Sequence, residues 1–290
     1  IPGITMNEAA KKRYLGEARF LRALYYYELV RIFGSIPLIK DPTALKSPDL
    51  YAPQASVEEI YKLIEADLVE AEASGLPNAD VTGRASLGAV KSLLSSVYLT
   101  MAGYPLQKGA EYYKKAADKA QEVVQMKSFS LFPSYDDLHN PAKKNTGENI
   151  FMVQFAAFVL PSNWQTSIIP YNQGISAYTD ETGAIFANKE FVESYEQGDK
   201  RVAEKQFYYS SFSLRSDRTK TRNLGGYYLY KHFDNTAQLS TTSSDLNWTV
   251  LRYAEVLLTL AEASNEANGP TAAAYEAVNA VRKRAELPEL

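Results

Sequence analysis

Apolar positions recur at helical spacing over both ends of the chain and lose that period in the middle. The box Thr5-x-x-Glu8 predicts a helix start, since hydroxyl and carboxylate can satisfy free backbone donors reciprocally. That helix runs over residues 6–33 and stops at Gly34, with Pro37 beyond. Within "EARFLRALYYYELVRIF" (17–33), a step of 100° per residue puts Glu17, Glu28 and Arg31 on one narrow stripe. Arg19 and Arg22 fall roughly opposite, and apolar or aromatic side chains fill the rest. The pattern predicts a helix of about 40 Å contacted on both sides, with the Tyr25–Tyr27 run in the core. A second box, Ser56-x-x-Glu59, opens a helix with Ile60, Leu63, Ile64, Leu68 and Ala71 on one face, ended by Gly75 and Pro77. "GRAS" (83–86) starts a third, which carries Leu87, Val90, Leu93, Leu94, Val97 and Met101 in register. Segments 110–126, 251–267 and 271–286 continue the period, the last two parted only by Asn268-Gly269-Pro270.

Helix–turn–helix pairs of this size, with alanine at packing positions, resemble a tetratricopeptide array in which each pair buries its open face on a neighbour. The middle differs. "NIFMVQF" (149–155) and "GGYYLYKHF" (225–233) read as short strands and "NKEFVESYEQGDKR" (188–201) as a short helix ending at Gly198. The fold class is therefore all-α: tetratricopeptide-like helix pairs packed against an irregular, loop-rich subdomain with a few short strands. It reads as one domain over 1–290, with a helical scaffold at 1–127 and 248–290 and an irregular binding subdomain at 128–247.

Composition narrows the function. A net charge of −3 and a pI near 5.6 argue against a nucleic-acid binder or a basic membrane surface. No cysteine is present, which excludes thiol catalysis and thiolate metal sites. The start, "IPGITMNEAAKK", carries no basic-then-apolar leader pattern. The longest apolar run, "IFMVQFAAFVL", is 11 residues with Gln154 inside it, well short of the roughly 20 that span a bilayer. Aromatics are biased to tyrosine, 21 against 12 Phe and 2 Trp, which suits wet, half-buried surfaces as well as cores.

The stretch 17–39 is similar to the signature helix of the SusD-like (RagB/SusD) outer-membrane nutrient-binding lipoproteins of Bacteroidetes. Further segments agree in order: "GRAS" with "SSVYLTMAG", "SLFPSYDDLH" with "ENIFMVQF", "FVESYEQGDKR", "LRYAEVLLTLAEASNEA" and "VNAVRKRAELP". The resemblance implies a non-catalytic, cell-surface glycan-binding subunit on the outer membrane. It implies an N-terminal lipid anchor, absent from this chain, and a SusC-like TonB-dependent transporter as partner. It implies no cofactor. Members carry a lipid-attached Cys and a longer N-terminal region and continue past the last motif, so the chain reads as an internal piece of a longer protein.

Two rival functions remain at the level of the residues: an α-helical glycosidase or lyase, and a tetratricopeptide-type peptide-binding adaptor. The first would use carboxylates such as Asp136-Asp137, Asp180-Glu181, Glu193, Glu196 or Asp199. A glycosidase needs two of them about 5–10 Å apart across a cleft. Solvated or structural roles suit these better, and Asp199 with Arg201 reads as an ion pair ordering a helix exit. His139 and His232 lack ligand spacing, so no metal site is expected. Sugar binding asks for flat aromatic faces beside amides. "PSNWQTSIIPYNQGISAYTD" (161–180) has that make-up, with Trp164, Tyr171 and Tyr178 among Asn163, Gln165, Asn172 and Gln173. For Trp164 two readings stay open, a sugar platform or a packed structural indole.

Overall fold

Asn7, not Thr5, caps the first helix. Its side-chain oxygen accepts from the N–H groups of Ala9 (3.0 Å) and Ala10 (3.2 Å). Helix α1 (Glu8–Phe33) is thus about 39 Å long and ends where Gly34 takes φ of +69° and donates to the Val30 carbonyl. The computed structural model describes residues 3–40 and 52–290 and falls into two units. One comprises Ile1–Phe129 with Glu255–Ala277, the other Ser130–Ala254 with Val278–Leu290. The second unit thus takes the C-terminal segment that the pattern groups with the helical scaffold.

In the first unit, α1 packs on α2 (Val57–Glu72), α2 on α3 (Leu87–Ala102), and α3 on α4 (Ala110–Gln125). The predicted Ser56/Glu59 capping box forms, and Ser86 caps α3 through the Ala89 N–H. Two short strands, β1 (Ile36–Pro37) and β2 (Gln54–Ala55), pair antiparallel between α1 and α2 in sequence. Gly16 lets α1 close on the end of α2, because a Cβ there would stand 2.0 Å from the Ser74 hydroxyl.

Contact on both sides of α1 does not occur among the described residues. Phe20, Ala23, Leu24, Tyr27 and Val30 are buried, but Tyr14, Leu21, Tyr25, Leu29 and Ile32 form a stripe 37–68% exposed. The cause lies in the charges. Arg22 makes a bidentate pair with Asp67 (2.7 Å for both bonds), Arg19 pairs with Glu70 (2.5 Å), and the nine-tenths buried Glu17 pairs with Arg84. The Arg19/Arg22 stripe and Glu17 are thus packed seams, Glu28 and Arg31 pair with each other at the surface, and the apolar arc is the open side. The tyrosine run divides accordingly. Tyr27 is core and bonds Thr100 (2.7 Å), Tyr26 accepts from Ile39 N–H (2.7 Å), and Tyr25, expected in the core, faces outward.

The second unit is built on two antiparallel sheets. β3 (Asn149–Val153) pairs with β7 (Trp248–Arg252), and β6 (Thr221–Leu229) lies between β4 (Phe186–Ala187) and β5 (Tyr208–Ser213). Short helices α5 (Trp164–Ile168) and α6 (Lys189–Glu193) lie in the connections. The 188–201 helix therefore ends five residues before Gly198, and Asp199 instead caps a tight turn and pairs with Arg201 as expected. Helix α7 (Tyr253–Asn268), most of which belongs to the first unit, begins two residues later than its pattern, because Leu251 and Arg252 belong to β7; α8 follows at Ala272–Arg284, its last seven residues in the second unit. Tyr209, Phe212, Tyr230 and Phe233 form an aromatic core, with Tyr230 stacked on Phe233 at 4.9 Å and Tyr209 edge-on to it at 5.4 Å.

Glu148 joins these pieces. It is fully buried and accepts from Arg252 (2.6 Å), from Arg284 at the end of α8, and from the Phe132 N–H (2.8 Å). Its own carbonyl accepts from Tyr253 N–H at the start of α7 (2.8 Å). Beside it, Gly147 has φ of +60° and lies so close to the Phe132 ring that a Cβ would stand 2.1 Å away. Removing one member of a buried ionic group leaves the others uncompensated. Glu148→Ala is therefore expected to lower the free energy of unfolding in urea by about 3–5 kcal/mol. A loss below about 1 kcal/mol, the scale of an exposed pair, would contradict this role.

Candidate functional site

The amide- and aromatic-rich segment 161–180 does not act as one patch. Just before it the chain turns through the Ala156–Leu160 bridge and exposes Phe158 and Val159 (76% and 86%), with the Phe158 N–H held by the Ser243 hydroxyl at 2.7 Å. Ser162 N–H then bonds the Ser244 carbonyl (3.0 Å), which anchors the start of α5.

Trp164 opens α5, half-buried, with its indole stacked on Trp248 at 4.4 Å and an interplanar angle of 13°. Trp248 in turn stacks with His232 at 4.3 Å and 22°. Trp248 is thus the middle ring of a three-ring stack and Trp164 an end ring. One face is structural, and the ring stands at the limit of the stack. Burial, aided by Lys231, His139 and Arg252, pushes the His232 pKa down to about 3, so its ring stays neutral against the indole.

Gln165 serves the fold. It is 1% exposed; its amide donates to the His232 carbonyl (2.7 Å) and its oxygen accepts from Asp234 N–H (3.1 Å) and Gln238 (2.9 Å). Those bonds fix the backbone that carries the histidine of the stack, and they remove Gln165 from any contact set. Asn163 and Tyr178 do come together. With Ser162, Thr166, Thr179 and Asp180 they line an open cleft of about 780 Å³. The Tyr178 hydroxyl is buried without a partner, and burial pushes its pKa up to about 12, so it waits there as a neutral donor. Tyr171, 69% exposed, lies with Asn172 and Gln173 on a separate turn outside the lining of this cleft; Gln173 bonds back to the Tyr171 carbonyl (3.2 Å).

Trp248, His232, Thr166 and Thr179 were not marked by composition. Trp248 is the second of the chain's two tryptophans, and that rarity was the available signal; a helical reading of its surroundings hid it. Among the described residues no group of three or more His, Cys, Asp or Glu is placed to hold a metal, and no helix is long and apolar enough to cross a membrane.

The depressed His232 pKa has a defined sign. The unfolded chain binds a proton near pH 6.5 that the folded stack refuses until about pH 3, so stability is full above pH 6.5 and falls on acidification towards 3. His139, also lowered by burial, adds in the same direction. Replacing His232→Phe, which keeps a flat ring, is expected to flatten unfolding free energy against pH in that window by up to about 1.4 kcal/mol per pH unit. An unchanged slope would contradict a neutral His232 held in the stack.

The family model described as SusD family matches residues 111–290, and one described as starch-binding, associating with the outer membrane, matches residues 4–99. A crystal structure of a SusD superfamily protein from Parabacteroides distasonis is similar at 42% identity and a TM-score of 0.94, over 99% of this chain and 63% of that one. A laminarin-binding SusD-like protein is similar at 25% identity and a TM-score of 0.79, over 100% of this chain and 67% of that one. A SusD-like protein of Bacteroides ovatus is 26% identical over 98% of this chain and 54% of its own length. The chain thus spans about half the length of the curated relatives it matches. With the family pattern covering more than half of its residues, 111–290, the chain belongs to the SusD family.

Proposed function

We propose that this protein binds glycans at the bacterial surface without altering them. The observation that carries the reading is the pairing of an open polar cleft, holding an unpartnered tyrosine hydroxyl, with a tryptophan stack that begins at the next residue after Asn163. Sugar rings present hydroxyls at their edges and C–H groups on their faces, so a hydroxyl-rich cleft beside an indole face suits them. The laminarin-binding relative supports this class, and neutral glucans are the first ligands to try.

Carboxylate placement speaks against hydrolysis. Asp180 is the one carboxylate lining the cleft beside Asn163. Glu196 is held by Arg282 (2.6 and 3.0 Å) and Asp199 by Arg201, so neither is aimed across a cleft at a partner acid. An affinity in the micromolar to millimolar range, about −4 to −8 kcal/mol, suits a subunit that hands its ligand on. In the whole protein the ligand would pass to a SusC-like TonB-dependent transporter. A lipid anchor, worth at least two buried acyl chains for stable attachment, would hold the protein at the outer membrane. A full-length gene whose leader does not end in a cysteine would remove the anchor from this proposal.

Calorimetric titration with laminarin oligosaccharides and a panel of other neutral glucans tests the site. Trp164→Ala is expected to weaken binding about tenfold to a hundredfold, the scale of one lost stacking platform. Melting should fall less in this variant than in Trp248→Ala, because Trp248 has a ring on either side. Unchanged affinity in a folded Trp164→Ala protein would remove the indole from the site.

A further inference from the structure

A second cleft, of about 530 Å³, shares no lining residue with the first. One wall is the tight turn Tyr135–His139 and Asn140 after it; the other carries Lys205, Gln206, Tyr230 and Asn235. Its inner surface holds polar atoms that the fold leaves unused. The His139 side chain is 5% exposed and its ring nitrogens lack a close partner; the Lys231 backbone and an Asp136 oxygen 3.6 Å from Nε2 act on them only weakly. The Oε1 of Gln206 is likewise buried without a partner. Buried polar atoms without a close partner on two residues of one cleft, His139 and Gln206, are unusual, since buried polar groups are nearly always satisfied by protein, water or a ligand.

The geometry points to a second saccharide-binding subsite here, taking one uncharged sugar ring through His139, Gln206 and Asn235. Burial holds the His139 ring unprotonated, against the weaker pulls of the Lys231 carbonyl and Asp136, so it offers one acceptor and one donor. Gln206 adds a buried acceptor, and Asn140 and Asn235 present amides at the rim. Such a set matches hydroxyls, each of which donates and accepts. It does not match an anion, because Lys205 is the one cation in the lining, which also carries Asp136 and Asp234, and its ammonium lies over the Phe212 ring at 4.6 Å. Nor does it match a cation. Asp234 already accepts from the N–H groups of Thr236, Ala237 and Asp245 and from the Ser244 hydroxyl, and the Asp136 side chain is 67% exposed. The Tyr230 ring, edge-on to His139 at 5.1 Å, supplies an apolar wall. This inference rests on the glycan-binding reading and extends it to a ligand long enough, or a surface crowded enough, to engage two places at once.

The chain has two histidines and two tryptophans, so side-chain NMR separates the sites. Protein with ¹⁵N-labelled histidine and tryptophan is titrated with glucose, galactose, mannose, N-acetylglucosamine and laminaribiose, each to about 100 mM, well above a millimolar dissociation constant. At least one sugar is expected to move the His139 ring nitrogens saturably. Gln206→Met and the rim variant Asn235→Ala should each raise the midpoint about threefold to tenfold, the worth of one neutral hydrogen bond, while the tryptophan indole response persists. His139 signals that stay still with every sugar, as in a cleft holding only water, would overturn the subsite, as would movement equal in wild type and both variants. Indole signals that move while His139 stays still would overturn this subsite alone and leave the glycan-binding function standing. Movement of His139 without the indoles would support the subsite and remove Trp164 from the first.

Discussion

A carboxylate without access to water sets the geometry of the second unit. Glu148 at the start of β3 has to be met by charge, and the two arginines that meet it come from β7 and from the end of α8. An acid buried this way ties the start of β3 to the end of β7 and to the α8 terminus, and the ladder beyond it carries two register irregularities, between Asn149 and Phe151 and between Phe151 and Met152. Trp248 stands four residues before Arg252 on the same strand, and the tryptophan–tryptophan–histidine stack inherits its position from that pair. Gln165 completes the support from the other side by holding the backbone of His232. The tryptophan–histidine stack is thus placed by buried polar contacts in a region where regular secondary structure is sparse.

The first unit follows a different logic, in which helices lie against sequence neighbours and charge marks the seams. Arg19, Arg22 and Glu17 of α1 look like solvent-facing charges on a helical projection, but they are matched on other segments by Glu70 and Asp67 on α2 and by Arg84 ahead of α3. That inversion explains why Tyr25 and Ile32 are outside (63% and 68% exposed) while Glu17 is inside. Hydrophobicity alone assigns the wrong face. The pairing of charges across segments assigns the right one.

Much of the helical part was legible because period and caps are local properties. Ser56/Glu59, Ser86 and Gly34 sit where the pattern put them, and the α2, α3 and α4 bounds follow to within a few residues. The ordered motifs carried the family as well. What escaped was set by partners distant in sequence. Residues 248–252 form a strand because β3 is there to pair with them, although their composition also suits the helix that follows. Gln165 looked like a ligand contact because amides do, and only its burial against His232 and Gln238 shows what it binds. The seven-residue candidate set therefore splits. Asn163, Trp164 and Tyr178 belong to the cleft and stack, Gln165 to their foundation, and Tyr171, Asn172 and Gln173 to a separate exposed turn.

The proposed site would hold a sugar against the Trp164 indole with its hydroxyls in the neighbouring cleft. A crystal structure with a bound neutral oligosaccharide, ideally laminaritriose, tests it most directly. The account predicts a ring lying over Trp164, with a hydroxyl within hydrogen-bond distance of the Tyr178 phenol or of Asn163. An oligosaccharide ordered elsewhere on the protein, with the Trp164 face and the Tyr178 cleft holding only water, would contradict it.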